Sequence, residues 1–224
     1  MSSGRQNQRR LPDADDTATA EDDKTTPSVS DVPSTSGSTT EQPDYFTYEE
    51  LVEKAVEYRI TQPMLEVALD TQRNVRVVGV SADNVKELEH VCDHASAFYF
   101  PKRFYPKLLI DPKLSLVAYH KAEPVGAICG RQREYKGEKF MYVNTICVLA
   151  SYRERGIGWY LLMNAISLAE KTDRIKWIEI HVQTANAPII RIAERLFFRY
   201  VRTIDYRFER FPHDGYVYRR RINQ

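Results

Sequence analysis

Arg153-Glu154-Arg155-Gly156-Ile157-Gly158 decides the reading of this chain. The run stands between a stretch with strand character, Phe140 to Leu149, and a stretch with helical apolar spacing, Ile157 to Lys171. A glycine-rich turn that feeds a helix N-terminus aims several backbone N–H groups at one spot. The helix dipole adds partial positive charge there, and two arginines stand beside it, so the turn suits a pyrophosphate. The order Arg-x-x-Gly-x-Gly differs from the Gly-x-Gly-x-x-Gly of dinucleotide-binding turns and from the Gly-Lys-Ser/Thr of P-loops. Nothing else in the chain matches either.

Outward from this turn, the chain alternates strands and helices in a mixed order. On the C-terminal side, Trp177 to Val182 alternates as a strand and Ala187 to Phe197 reads as a helix. Val201 to Phe208 and Tyr216 to Ile222 alternate around His213-Asp214-Gly215, a hairpin signal. On the N-terminal side, Val75 to Val80 is a strand. Asp83 can cap a helix carrying Val85, Leu88, Val91, Cys92 and Ala95, and an aromatic segment, Phe98 to Tyr105, follows. Leu114 to His120 and Val125 to Gln132 are strands around the turn Lys121-Ala122-Glu123-Pro124, and Tyr135 to Glu138 is another turn. The order β-α-α-β-β-β-α-β-α-β-β is neither doubly wound nor a sandwich.

The length of 224 residues fits one domain plus a tail, or at most two small domains. Residues 1–45 are rich in Ser, Thr, Asp and Pro, hold nine Asp/Glu against four Lys/Arg, and carry almost no large apolar groups. They are expected to be a disordered tail. Residues 46–72 read as a short helical extension, with Thr47 as cap, Glu50 in the capping-box position and a second helical piece from Pro63 to Leu69. The domain is expected over 73–224. The rest of the chain is mildly basic, too weakly to argue for nucleic acid. Arg5, Arg9 and Arg10 precede no apolar h-region, and no apolar run is long enough for a bilayer. Cys92, Cys129 and Cys147 lack Cys-x-x-Cys spacing, and no His/Cys/Asp cluster has metal-ligand spacing. Buried free thiols in a reducing compartment follow, which points to the cytoplasm, alone or with the nucleus.

The Arg-x-x-Gly-x-Gly order and the element order resemble the Gcn5-related N-acetyltransferase (GNAT) superfamily. A closer likeness lies in the run from Tyr142 to Gly158 together with Glu179-Ile180-His181-Val182-Gln183 and Asn186. These segments resemble the NatE-type (San) catalytic subunits among the N-alpha-acetyltransferases, over about Val77 to Arg210. The resemblance implies an α/β fold of α+β type, with a central, mostly antiparallel sheet flanked by helices. It implies an enzyme that moves the acetyl group of acetyl-CoA, without a metal, onto the α-amine of chains beginning with Met and a bulky apolar residue. Peptide or protein N-termini are then the partners, with a larger N-terminal acetyltransferase complex and the ribosome as further candidates; no membrane partner is implied.

By the same resemblance, Tyr142 and His181 take the positions of the family's catalytic pair. An α-amine has a pKa of about 7.7–8.0, so a modest base suffices near neutral pH, and histidine is suited to that range. A tyrosine with an ordinary pKa near 10 is a poor direct base and is expected to act through a water or by positioning. Ile146, Cys147 and Val148 would hold the cofactor arm and polarise the thioester carbonyl through their backbone N–H groups. Arg153, Glu154, Arg155, Gly156, Ile157 and Gly158 would hold the pyrophosphate. Asn186 would either bond the pantetheine or cap the next helix. Ala97, Phe98 and Phe100 fall on the family's first substrate loop, Asn144 faces the substrate side chain, and Tyr206, Arg207 and Phe208 would cover the peptide.

Several positions depart from the family. Ala193 stands in place of a tyrosine near the cofactor sulfur, Phe197 in place of a glycine, and Asn144 in place of a methionine. The Phe100-Pro101 pair is the family's Phe-Pro shifted, or the loop is remodelled around Phe98. Two other readings stay open on the sequence. One is an inert or weak CoA-binding partner subunit, motivated by Ala193 and Phe197. The other is a protein-lysine acetyltransferase, which calls for a carboxylate base such as Glu179, two residues before His181 on the same strand face.

Overall fold

A computed structural model of the protein describes residues 53–54, 67, 70–71, 73–96, 99–110, 113–205 and 213–222. The expected tail, the Thr47 cap with Glu50, and Ala97, Phe98, Tyr206, Arg207 and Phe208 lie outside the described residues. Within the extension, Glu53, Lys54, Val67, Asp70 and Thr71 are helical.

Seven strands form one sheet in the order β1-β2-β3-β4-β5-β7-β6. They are β1 Val75–Gly79, β2 Leu116–His120, β3 Glu123–Tyr135, β4 Glu138–Val148, β5 Ile175–Gln183, β6 Arg199–Ile204 and β7 Gly215–Arg221. The β4–β5 pairing is parallel and the other five are antiparallel. The connection between β4 and β5 is the helix α2, Ile157–Lys171, as a parallel pair requires. The other helices are α1, Val85–Ala95, and α3, Ala187–Arg195.

Strand alternation separates two cores. Leu116, Ala118, Ile128, Met141, Val143, Ile178 and Ile180 face α2 and α3. Val117, Tyr119, Ala127, Cys129 and Cys147 face α1 and a 3₁₀ segment, Lys102–Leu109. That segment takes the place of the second helix in the expected order, and Pro106 inside it is one reason it does not run on as an α-helix. The N-cap of α1 is Asn84, not Asp83. Its side chain turns back, accepting from Ser81 N at 2.8 Å and donating to Gly79 O at 3.0 Å, which closes the loop out of β1. The expected turn at Lys121–Pro124 is shorter. Lys121 has φ 57, β3 begins at Glu123, and the register shifts between Ala118 and Tyr119 opposite Pro124, which has no N–H to offer the ladder.

The three cysteines, far apart in sequence, meet in the α1 core. Cys92 Sγ lies 3.7 Å from Cys129 Sγ and 4.0 Å from Cys147 Sγ. Hydrogen bonding to Cys129, then burial, raises the Cys92 thiol pKa, and hydrogen bonding to Cys92, then burial, raises that of Cys147. On the other face, α2 packs so closely on β3 that a Cβ on Gly126 would stand 3.0 Å from Leu161 Cδ1. Leu161 is fully buried at this contact. Leu161→Ala is therefore expected to destabilise the fold by about 2–5 kcal/mol, read by urea denaturation.

Candidate active site

The Arg153–Gly158 turn joins β4 to α2. Glu154 and Gly156 both have positive φ, 63 and 78, so the chain reverses twice before the helix starts. Among the described residues, no hydrogen bond is recorded to the backbone N–H of Glu154, Arg155, Gly156, Ile157 or Gly158. These donors and the positive end of α2 converge on the exposed side of the turn. Arg153 is otherwise engaged: its guanidinium donates to Val148 O at 3.0 Å and to Ala95 O at 3.4 Å. Arg153 therefore ties the end of β4 to α1, and Arg155, lying over the Tyr152 ring, is the more available cation.

The extension packs against this turn. Thr71, buried, places its hydroxyl 2.6 Å from Arg155 O and 2.7 Å from Val67 O. A Cβ on Gly156 would come within 2.8 Å of Val67 Cγ1 and 2.9 Å of Thr71 Oγ1. Lys54 reaches Glu170 of α2 at 3.7 Å. Nothing in the sequence of residues 46–72 marks which surface they meet.

The β4–β5 ladder runs only as far as Val143 and Ile180. Beyond it β4 keeps its pairing with β3 to Val148, and β5 keeps its pairing with β7 to Gln183. The two strands thus splay, and the edge of β4 at Asn144 to Val148 faces the gap without a ladder partner. Ile146, Cys147 and Val148 lie on this edge. The Cys147 side chain is buried against α1, so only its main chain can serve a ligand in the gap.

Where the ladder ends, a row of side chains crosses the sheet. Tyr142, Glu179 and Arg219 are register partners on β4, β5 and β7. The Tyr142 hydroxyl stands 3.2 Å from His181 Nδ1, with the rings edge to face at 4.9 Å between centroids. His181 Nε2 lies 2.8 Å from Glu179 Oε1, and Arg219 Nε donates to Glu179 Oε2 at 2.5 Å. Tyr142 and Glu179 are buried, and Arg133 lies over the Tyr142 ring at 4.5 Å.

The protonation pattern follows from Glu179. Burial pushes its carboxyl pKa up, but hydrogen bonds from His181 and Arg219 and the Arg219 charge outweigh it, and the net shift is downward. An ionised carboxylate can only accept, so Nε2 of His181 carries the proton. In the neutral ring Nδ1 is then the acceptor for the Tyr142 hydroxyl. The row forms a chain in which a proton leaving Tyr142 moves onto an imidazole already facing a fixed negative charge.

Other candidates fall as follows. Asn186 is the N-cap of α3, its Oδ1 accepting from Ile189 N at 3.4 Å. The Asn144 side chain accepts from Arg131 Nε at 3.3 Å, and Phe100 stacks on Phe104 at 4.5 Å. Ala193 is fully buried between α3 and the sheet. Phe197 has φ 59, the left-handed conformation that a glycine would adopt without strain. Arg219 escaped the sequence reading. Its place in an alternating strand was visible, but nothing local sets the register that puts it beside Glu179.

The profile of the Acetyltransferase (GNAT) family matches residues 82–198. The zebrafish (Danio rerio) protein N-alpha-acetyltransferase 50 is 29% identical over 139 residues, which is 62% of this chain and 83% of that protein. The probable N-acetyltransferase san of Drosophila melanogaster is 26% identical over 155 residues, 69% of this chain and 84% of its own length. Among solved structures, Arabidopsis thaliana Naa50 in complex with the bisubstrate analogue CoA-Ac-MVNAL superposes with a TM-score of 0.60 at 28% identity. It covers 66% of this chain and 98% of its own.

Proposed function

The chain belongs to the acetyltransferase (GNAT) family, and from that premise we propose that it acetylates the N-terminal α-amine of proteins, with Met followed by an apolar residue as the preferred start. The observation that carries this reading is the hydrogen-bonded Tyr142–His181 pair at the mouth of the β4–β5 splay. The relatives support the acceptor. Both curated relatives are named as N-acetyltransferases, one of them as an N-alpha-acetyltransferase, and the peptide part of the analogue bound to the Arabidopsis protein begins Met-Val.

Acetyl-CoA is the acetyl donor, and the residues fit it. The unpartnered N–H groups of Glu154 to Gly158 take the pyrophosphate, and the open edge of β4 takes the pantetheine arm and the thioester carbonyl. The α-amine nitrogen attacks the carbonyl carbon, forming the C–N bond, and the C–S bond breaks with its electron pair on sulfur, so CoA leaves as a thiolate that takes its proton from solvent. Tyr142 accepts the amine proton as its own passes to His181 Nδ1, and Glu179 stabilises the imidazolium that forms.

The geometry disfavours the lysine reading. Glu179, its candidate base, is bound by both His181 and Arg219 and has a lowered pKa, so it holds a proton poorly. The inert-partner reading rests on Ala193 and Phe197, of which Ala193 is the one that would remove a contact to the cofactor sulfur. Because that site is fully buried, Ala193→Tyr is expected to overpack α3, at about 1–3 kcal/mol, before it adds any contact to the cofactor sulfur.

The test is acetyl-CoA turnover on a Met-Leu peptide against the same peptide with its N-terminus blocked. Acetylation of the free peptide alone supports the reading, and equal acetylation of a lysine in both sinks it. Gly156→Ala is expected to weaken CoA binding about tenfold and to lower the melting temperature. An L-residue at this φ costs about 1–2 kcal/mol, and the new methyl meets Val67 and Thr71. Calorimetric titration of CoA measures it.

A further inference from the structure

The sheet face that carries the catalytic pair ends in a cationic cavity that the proposed reaction does not use. The cavity measures about 570 Å³. Lys136, Arg199, Arg219 and Arg221 line it, opposed by the carboxylate of Glu138, with Trp177 also in the lining. Arg219 is held by Glu179. Arg199 and Arg221 are exposed, and no ion pair is recorded for either among the described residues. The indole Nε1 of Trp177 is buried and has no hydrogen-bond partner. Uncommitted guanidinium groups favour carboxylate ligands.

The position of the cavity suggests whose carboxylates these are. Trp177, Glu179 and His181 alternate onto one face of β5. Four residue steps along the strand separate Trp177 from His181, which is about 13 Å. Over β2, β3 and the end of β4, this face is covered by α1 and the 3₁₀ segment. Phe140, Tyr142 and Trp177 form a separate cluster outside that cover. Tyr142, Glu179 and Trp177 are themselves buried, so an extended chain with its α-amine at Tyr142 would pass over the Arg133 and Arg219 side chains that lie above this strip, and at about 3.3–3.6 Å per residue it brings its fifth residue or so to the cavity. Arg133 over Tyr142 and Arg219 over Trp177 keep the strip cationic between the two.

We infer that the cavity binds acidic side chains of the protein being acetylated, about four to seven residues behind its α-amine. It thereby selects substrates by downstream charge as well as by their first residues. The inference rests on the α-amine reading above and adds a specificity site to it.

The experiment compares kcat/KM for three Met-Leu peptides, identical except that residues four to seven are Glu, Ser or Lys. The Glu peptide is expected to exceed the Lys peptide about tenfold at low salt, the size of a few partly exposed ion pairs, and the gap should narrow as salt rises. In the doubly substituted Arg199→Ser/Arg221→Ser protein the ratio should fall toward one. Equal kcat/KM for all three peptides overturns the inference and leaves the α-amine reading standing. A preference that survives the double substitution, or that ignores salt, overturns the assignment to this cavity. If the double variant does not fold, the salt series on the unaltered protein decides. No turnover of any free N-terminus overturns the α-amine reading itself.

Discussion

Tyr142→Phe is expected to lower kcat by about 10²- to 10⁴-fold, the range for a positioned acid–base group, with little change in acetyl-CoA affinity. The substitution removes one oxygen. The phenyl ring still fills the buried site, still meets the edge of His181 and still lies under Arg133, so folding should lose only about 1 kcal/mol with the hydrogen bond. His181→Ala should cost a similar factor, because Tyr142 then loses the imidazole proposed to take its proton. The double variant should be little worse than either single one, since both act in one proton transfer. Steady-state rates on a Met-Leu peptide, with CoA binding measured alongside, check all three. A tenfold deeper loss in the double variant than in the singles would mean that the two side chains act separately.

Glu179→Gln is expected to lower kcat about 10- to 10²-fold, less than Tyr142→Phe, because Glu179 acts through His181 and touches no substrate. The amide oxygen of glutamine can still accept from Nε2, so the ring stays in place while its positive charge loses a fixed counterion. A purely structural role would instead show as lost stability at unchanged kcat in the folded fraction. The same carboxylate gives a pH signature in stability. Its folded pKa lies below the ordinary value of about 4.3, so its contribution is complete above that pH and is lost as pH falls through the lowered folded value. Glu179→Gln should therefore trail the unaltered protein fully above about pH 5, and the gap should narrow as pH falls below about 4. Urea denaturation across that range measures it. Arg219→Met, which removes the second donor from a buried carboxylate, should cost about 1–3 kcal/mol near pH 6.

The site was partly legible because some of its chemistry is local. A turn that must reverse the chain and start a helix needs glycine at a left-handed position, and Gly156 supplies it within one short run. Tyr142 and His181 were legible only through the likeness of their flanking segments, since a single tyrosine or histidine in a strand carries no signal of its own. Glu179 reads in the sequence as a possible base, but its bonds to His181 and Arg219 are set only in space. Arg219 and the contact of Thr71 with Arg155 were invisible, because each depends on residues 40 and 84 positions apart meeting in space.

What the sequence determined by itself was the set of elements and their order. Apolar period, glycine and proline punctuation and the hairpin signal before β7 depend on neighbours within one turn or one strand, and they placed β1 to β7 and α1 to α3 to within a few residues. The tertiary structure alone decided which strand stands next to which. The insertion of β7 between β5 and β6, the end of the β4–β5 ladder at Val143, and the crossing row of Tyr142, Glu179 and Arg219 all follow from register. Register is set where one buried face must match another across the sheet. A shift of one residue would turn the whole row to the opposite face, so it is fixed by the packed core and not by any local run.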